Sequence, residues 1–430
     1  MAVKINLEHW KSMPGSDDIQ RFELSNGIVV LARQNVTSPS IQVNGYLSYG
    51  SMFDPPEKLG LAQFTTMGLM KGTQTRNFTQ IYDALESVGA SLGFSSSVHT
   101  TSFGGRALAE DLPLMLTLLK EAITQPVFPI DQIERLRAQF LTGLEIRDQS
   151  TADMASMRFD QMLFPNHPYG VPVDGFSQTV RTITQADLVE FHRAHVGPRG
   201  MVIAMVGSPT PQEMVDSIRA ILGEWNNEYQ ALEPALAKVN PPQETRREHV
   251  ELPGKSQSDL VMGTMGPRRN AEDYVAASLG NNVLGQFGMF GRIGDVVREQ
   301  SGLAYYASSH INASNETGSW EVAAGVNPVN LDRAIELIIG ELERFTREPV
   351  SLEELEDTQS YYLGRLPMQM ESNAGVAGAL INLERYQLGL DYYRRYPQMV
   401  MEVTREKALE AARKYIEPDK LYIATAGSSG

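Results

Sequence analysis

The sequence predicts an α+β protein made of two homologous domains, each a mainly antiparallel sheet with helices packed on it. Three observations carry this expectation. First, the chain repeats itself: ITQADLVEFHRAHVGPRGMVIAMVGS, ending at Ser208, matches EVTREKALEAARKYIEPDKLYIATAGS, ending at Ser428, with Gly207 and Gly427 standing 220 residues apart. The same spacing separates Pro129, which opens PIDQIERLRAQFLTGLEI, from Pro349, which opens PVSLEELEDTQSYYLGRL; SIQVNGYLS from Ser40 matches SDLVMGTMG from Ser258 at an offset of 218. Second, strand-like stretches precede helix-like ones in the same order within each copy. Third, 430 residues exceed one compact core and predict two or three domains.

The expected units are a first repeat over residues 1–229, a linker over 230–248 and a second repeat over 249–430. The linker, QALEPALAKVNPPQETRRE, combines prolines with polar residues and ends any regular pattern. Within the first repeat, FELSNGIVVLAR carries the Asn26-Gly27 signal of a tight hairpin between two β-rich runs. IQVNGYLS alternates apolar residues at Ile41, Val43 and Leu47, as a strand with one buried face does. Three helices follow: TQIYDALESVG, with Thr79 as candidate N-cap and Gly89 past its end; LPLMLTLLKEAITQ, stopped by Pro126; and a long one from Pro129 through Arg147. The aliphatic and Met-rich faces, including the run Met157 to Phe164, read as core or interface.

Hydrophobic content of 42% with 21% charged residues is ordinary for a soluble globular protein. Seven histidines and no cysteine exclude disulfides and thiolate chemistry. The start, MAVKINLEHWKSMPG, lacks a basic stretch followed by an apolar run, and no segment approaches membrane-spanning length. A cytoplasmic protein with no membrane partner is the expectation. A formal net charge of −15 disfavours nucleic acid and anionic membrane and leaves neutral or basic partners favoured. The glycines of LGNNVLGQFGMFGRIG precede no Gly-Lys-Ser or Gly-Lys-Thr and fit no dinucleotide spacing, so a mobile or tightly packed segment is expected there.

Two motifs, GLAQFTTMGLMKGT from Gly60 and VREQSGLAY ending at Tyr305, join the repeat in giving the whole chain a resemblance. It resembles the M16 (pitrilysin, insulinase, mitochondrial processing peptidase) family in its shorter bacterial form. The resemblance implies two repeats arranged as a clam around a peptide, with His-x-x-Glu-His on a first-repeat helix. Histidines at i and i+4 share one helix face and can hold one zinc, while the adjacent Glu activates a bound water. In this sequence the first ligand position holds Gln63, the catalytic Glu position Thr66 and the second ligand position Met67. The family's third ligand, a Glu on a later helix, corresponds to Glu145, which as a lone carboxylate on an amphipathic helix also reads as a solvated or salt-bridged residue. His192 and His195 have a permissible ligand spacing but no acidic neighbour to complete a set; His9, His99, His167, His249 and His310 are scattered singly. The resemblance also implies a substrate-pairing strand carrying Asn-Ala-Phe-Thr, where this chain reads SLGFSSS with Gly93 at the Asn position; a bulge or close backbone approach is the alternative.

In the second repeat, VREQSGLAY places Arg298 and Tyr305 where the resemblance implies the Arg/Tyr pair that crosses the clam to hold substrate. A guanidinium and a phenol can both donate hydrogen bonds to a peptide carbonyl whose oxygen gains charge during reaction. The alternative is a helix-to-strand turn broken by Gly302, with Arg298 paired to a nearby acid and Tyr305 packed. The resemblance therefore implies no catalytic residue and no metal or other cofactor on this chain alone. It implies a non-catalytic, Arg/Tyr-contributing subunit of a heterodimeric zinc metallopeptidase, with peptide as substrate and zinc on an M16 partner subunit. A catalytically inert scaffold resembling the core subunits of a respiratory complex is the alternative, and an independently active metallopeptidase is a third reading.

Overall fold

The computed structural model describes Trp10 and residues 13–428, with backbone alone at residues 287–290. The remaining N-terminal residues, on which the leader expectation rests, lie outside the described set. Eleven strands make two sheets among the described residues. They are β1 (Gln20–Glu23), β2 (Val29–Gln34), β3 (Ser40–Leu47), β4 (Ser91–Ser96), β5 (Thr101–Leu108), β6 (Val202–Gly207), β7 (Arg246–Glu251), β8 (Ser258–Gly266), β9 (Ala304–Ala313), β10 (Gly318–Val326) and β11 (Tyr422–Gly427). The first sheet runs β1-β2-β6-β3-β5-β4 and the second β7-β11-β8-β10-β9. Removing β1 leaves two sheets of one order, each with a single parallel pair, β2 with β6 and β7 with β11, among antiparallel neighbours. This is the α+β, mainly antiparallel duplication that the repeat predicts.

The matching ends of the two repeats have a physical cause. Gly207 and Gly427 close β6 and β11, and a Cβ on either would sit within 2.7 Å of Ser40 or Ser258, the first residues of β3 and β8. The hairpin at Asn26-Gly27 forms, with Gly27 at φ +88° and β1 antiparallel to β2. Helices Leu112–Thr124 and Ile130–Arg147 form, the first ending just before Pro126 and the second beginning just after Pro129. The helix preceding them is Phe78–Glu86, and its N-cap is Asn77 rather than Thr79. Asn77 Oδ1 accepts from Gln80 N at 2.9 Å while Gln80 Oε1 accepts from Asn77 N at 2.9 Å, and this reciprocal cap starts the helix two residues early.

Each sheet borrows a helix from the other half. Helix Thr151–Leu163, from the first repeat, packs on β8 and β11; its Ala155, Phe159 and Leu163 share a buried cluster with Val261, Ala424 and Ala426. Its counterpart Asn373–Arg385, from the second repeat, packs on β3 and β6. Both borrowed helices are pinned in the same way at their first turn. Thr151 Oγ1 donates to Asp259 Oδ2 at 2.5 Å at the start of β8, and Asn373 Nδ2 donates to Ser40 Oγ at 3.3 Å at the start of β3. Hence β6 is apolar on both faces, Ile203 and Met205 facing the first-repeat core, Val202, Ala204 and Val206 the shared one. In β3 Ile41, Val43 and Leu47 face the first-repeat core as the alternation expects, and Tyr46 is buried as well, on the opposite face in the shared cluster.

Residues 231–245 form no helix or strand, and β7 begins at Arg246, inside the stretch read as a linker. Among the described residues no helix is long and apolar enough to cross a membrane.

Candidate functional site

The helix carrying the first motif spans Leu61–Gly68. Gly60 starts it in the left-handed region at φ +95°, where a Cβ would lie 2.8 Å from Asp174 O. Asp54 takes the orphan amides, Gly60 N and Ala62 N, each at 2.8 Å. Gln63 and Met67, four apart, share one half-buried face, as the i, i+4 spacing requires. Gln63 Oε1 is buried without a hydrogen bond, and Met67 packs on the first-repeat core. Thr66 is buried in a run of hydroxyls, 3.3 Å from Tyr49 OH and 3.1 Å from Thr101 Oγ1. Glu145 lies exposed and meets Arg181 Nη2 at 3.3 Å.

An amide, a hydroxyl and a thioether supply neither the imidazoles nor the carboxylates that hold zinc at a peptidase site, so these residues do not fit the ion. Among the described residues no three His, Asp or Glu side chains gather as metal ligands. His192 gives no substitute: its Nε2 bonds Ile123 O at 2.9 Å and burial holds its pKa below the usual imidazole value. The His195 ring packs at a tilt against Phe53 and Phe191, with centroids 4.6 and 4.5 Å away.

β4 forms one edge of the first sheet. Gly93 pairs regularly with Gly104, and a Cβ there would meet nothing within 4 Å. The expectation of a bulge or close approach is therefore corrected: the register is unbroken and space does not compel glycine.

The second motif folds into a π-helical turn, Asp295–Gln300, followed by β9, the edge of the second sheet. Gly302 at φ +64° breaks the turn, letting its own amide return to Arg298 O at 2.9 Å. Arg298 Nε lies 3.5 Å from Glu299 Oε1. Tyr305 does not pack: it is 84% exposed. The residue that packs is Tyr306, whose phenol donates to Asp259 Oδ1 at 2.6 Å. Asp259, only 1% exposed, also accepts from Thr151 and from Gln257 Nε2 at 3.1 Å. Burial, then the Asp259 carboxylate, pushes the Tyr306 phenol well above its ordinary pKa, so it stays a donor. Tyr305 is the extra residue at a bulge in β9, since Tyr306 pairs with Gly325 and Ala304 with Val326, and it projects outward beside the anchored Tyr306. Sequence reasoning missed Tyr306 and Asp259; the adjacent tyrosines of AYY were the available signal.

A cavity of about 630 Å³ opens between the halves. Val98, Asp160 and Tyr169 line it from the first repeat, Arg269, Asn312 and Ser319 from the second. Across it runs a hydrogen-bonded chain in which His99 Nδ1 meets Glu233 Oε1 at 3.1 Å, His99 Nε2 meets Tyr169 OH at 2.6 Å, and Tyr169 OH meets Ser314 Oγ at 2.6 Å. His99, which reads as an ordinary isolated histidine in sequence, thus ties the first sheet to the second half and to residue 233 of the connecting segment. Asp160, within a run that reads as core, faces the cavity; burial and then Glu321 push its carboxyl up to about 7.

Comparison with known proteins accords with this architecture. Residues 29–173 match the family model described as insulinase (peptidase family M16), and residues 182–362 match that of the peptidase M16 inactive domain. An uncharacterized zinc protease of Streptomyces coelicolor is 24% identical, over 86% of this chain and 81% of its own length. Subunit 1 of the human mitochondrial cytochrome b-c1 complex is 27% identical over 61% of this chain and 55% of its own length. The crystal structure of a peptidase M16 inactive domain from Pseudomonas fluorescens superposes with a TM-score of 0.88 at 25% identity, covering 96% of this chain and 98% of that one. A protease from Helicobacter pylori gives the same TM-score at 20% identity, covering 96% and 100%. With both halves matched in order and the whole fold shared, the chain belongs to the M16 peptidase family.

Proposed function

We propose that this chain is the non-catalytic subunit of a heteromeric M16 peptidase, one that holds peptide substrate through Arg298 and Tyr305. The observation that carries the reading is an asymmetry. The first-repeat positions Gln63, Thr66 and Met67 are neutral and built into the helix packing, whereas Tyr305 stands 84% exposed at a sheet edge, fixed there by the buried anchor of Tyr306. Hydrolysis itself falls to a zinc-bearing partner subunit. This chain's guanidinium and phenol donate hydrogen bonds to the reacting carbonyl oxygen as it gains charge. The heteromer, its peptide ligand and a cytoplasmic location belong to this proposal, as do the expected domain boundaries of 1–229, 230–248 and 249–430.

A scaffold role is the second reading, favoured by the likeness to the cytochrome b-c1 subunit. Reconstitution separates the two. The chain is mixed with a zinc-bearing M16 chain of similar length from the same genome, and peptide cleavage is measured for wild type, Arg298→Ala and Tyr305→Phe after confirming assembly. Losing one donor to a developing oxyanion costs roughly 2.7–4 kcal/mol, a hundredfold or more in kcat. Loss confined to KM would mean uniform substrate binding instead. Unchanged kcat and KM in both variants would put the scaffold reading ahead.

A further inference from the structure

We propose that a pocket in the second half, walled by Arg269, Arg365 and a group of tyrosines, binds a phosphoryl group. The pocket holds about 270 Å³, enough for a tetrahedral oxyanion and one attached ring. Helix Leu352–Gln369 contributes Tyr361, Tyr362 and Arg365, and helix Tyr392–Met401 contributes Tyr392, Tyr393 and Tyr396. No carboxylate lines it, in a chain where 52 acidic residues outnumber 37 Lys and Arg.

Arg269 is the central observation. Its guanidinium lies 4.3 Å from the Tyr274 ring, 5.5 Å from Tyr392 and 5.6 Å from Tyr386. Its side-chain hydrogen bonds go from Nη1 and Nη2 to a single phenol oxygen, Tyr392 OH, both at a long 3.4 Å. Among the described residues it has no ion pair. A partly desolvated guanidinium with most of its five donors unspent lacks the partner that such a charge ordinarily has. The aromatic faces hold it in place but offer no acceptor. Arg365 points a second guanidinium at the same space, its carbon 5.9 Å from the Tyr361 ring, with Nη1 donating to Tyr361 OH at 3.3 Å.

The phenols complete a donor set. Burial pushes Tyr393 up to about 12 and drives Tyr396 higher still, so at neutral pH they carry protons and add no negative charge, while Tyr362 already donates to Ser278 O at 3.1 Å and is a packing wall. Two guanidiniums and several phenols exceed what a carboxylate's two oxygens use and match the three or four oxygens of phosphate or a phosphomonoester. The surrounding rings suit an aryl substituent by stacking. The inference stands apart from the peptidase reading, because neither Arg298 nor Tyr305 lines this pocket.

The test is calorimetric titration of the full chain at fixed ionic strength with inorganic phosphate, phenyl phosphate, acetate and chloride, repeated on Arg365→Gln. Saturable one-site binding of phosphate or phenyl phosphate is expected, weakened tenfold or more by Arg365→Gln, with acetate and chloride giving none. Tighter phenyl phosphate identifies an aryl phosphomonoester as the source, and tighter phosphate identifies the free ion. Arg365 is exposed, so its replacement leaves the fold intact, whereas Arg269→Gln removes the centre of a tyrosine stack and serves only as a second check. Phosphate heats no larger than chloride's, an affinity unchanged in Arg365→Gln, or acetate binding as tightly as phosphate would overturn the proposal.

Discussion

Replacing Phe159 with Ala tests whether the exchanged helices make the halves one cooperative unit. Phe159 belongs to the first repeat in sequence, but with no exposed surface it sits in one buried cluster with Val261 of β8 and with Ala424 and Ala426 of β11. Phe→Ala in a core costs about 3–5 kcal/mol. The value here belongs in the upper part of that range, about 4 kcal/mol, because its neighbours on β11 are alanines on a paired strand and cannot swing into the void. Against a total stability of about 5–15 kcal/mol the loss is large. Urea unfolding, followed by far-UV circular dichroism and by fluorescence of variants retaining only Trp225 or only Trp320, reads the two halves separately, since Trp225 lies in the first and Trp320 in the second. Both signals should shift together to lower urea with unchanged slope. A loss below about 1 kcal/mol, or a Trp320 transition moving while Trp225 stays, would refute the claim that the exchanged helices couple the halves.

Two further outcomes follow from single side chains. The Asp160 carboxyl has its folded pKa raised to about 7 from an ordinary 3.8, so its contribution is fully present below pH 3.8 and lost as pH rises through 7; Asp160→Asn should therefore leave stability unchanged near pH 3.5 and raise it at pH 8, and equal melting shifts at both pH values would contradict this. Thr65, fully buried on the helix with Gln63, has a hydroxyl without a hydrogen-bond partner; Thr65→Val removes that unsatisfied group at nearly constant shape and should be neutral or stabilise by about 1 kcal/mol, whereas a comparable loss in urea unfolding would show the hydroxyl to be satisfied.

Much of the fold is legible because it is written twice. The offsets at Gly207/Gly427 and Ser40/Ser258 are statements about backbone contact, since only glycine fits against the first residue of the neighbouring strand. Helix stops at Pro126 and the turn at Gly27 are local chemistry and need no tertiary context. The cap falls at Asn77 and not at Thr79 although both are good N-cap residues, and the reciprocal bond with Gln80 decides between them. Of the candidate site, the identities at positions 63, 66, 67, 298 and 305 come from sequence alone, and whether Tyr305 packs or projects does not.

The sequence by itself determined the duplication, the α+β class and the absence of His-x-x-Glu-His, because repeats, periodicity and residue identity are local properties. Only the tertiary structure decided that each sheet is covered by the other half's helix, that Asp259 locks Thr151 to Tyr306, and that two arginines meet among tyrosines with no acid between them. Each of these joins residues about 50 to more than 200 positions apart, and their pairing is set by how two amphipathic halves bury their apolar faces against each other, which no window of neighbouring residues encodes.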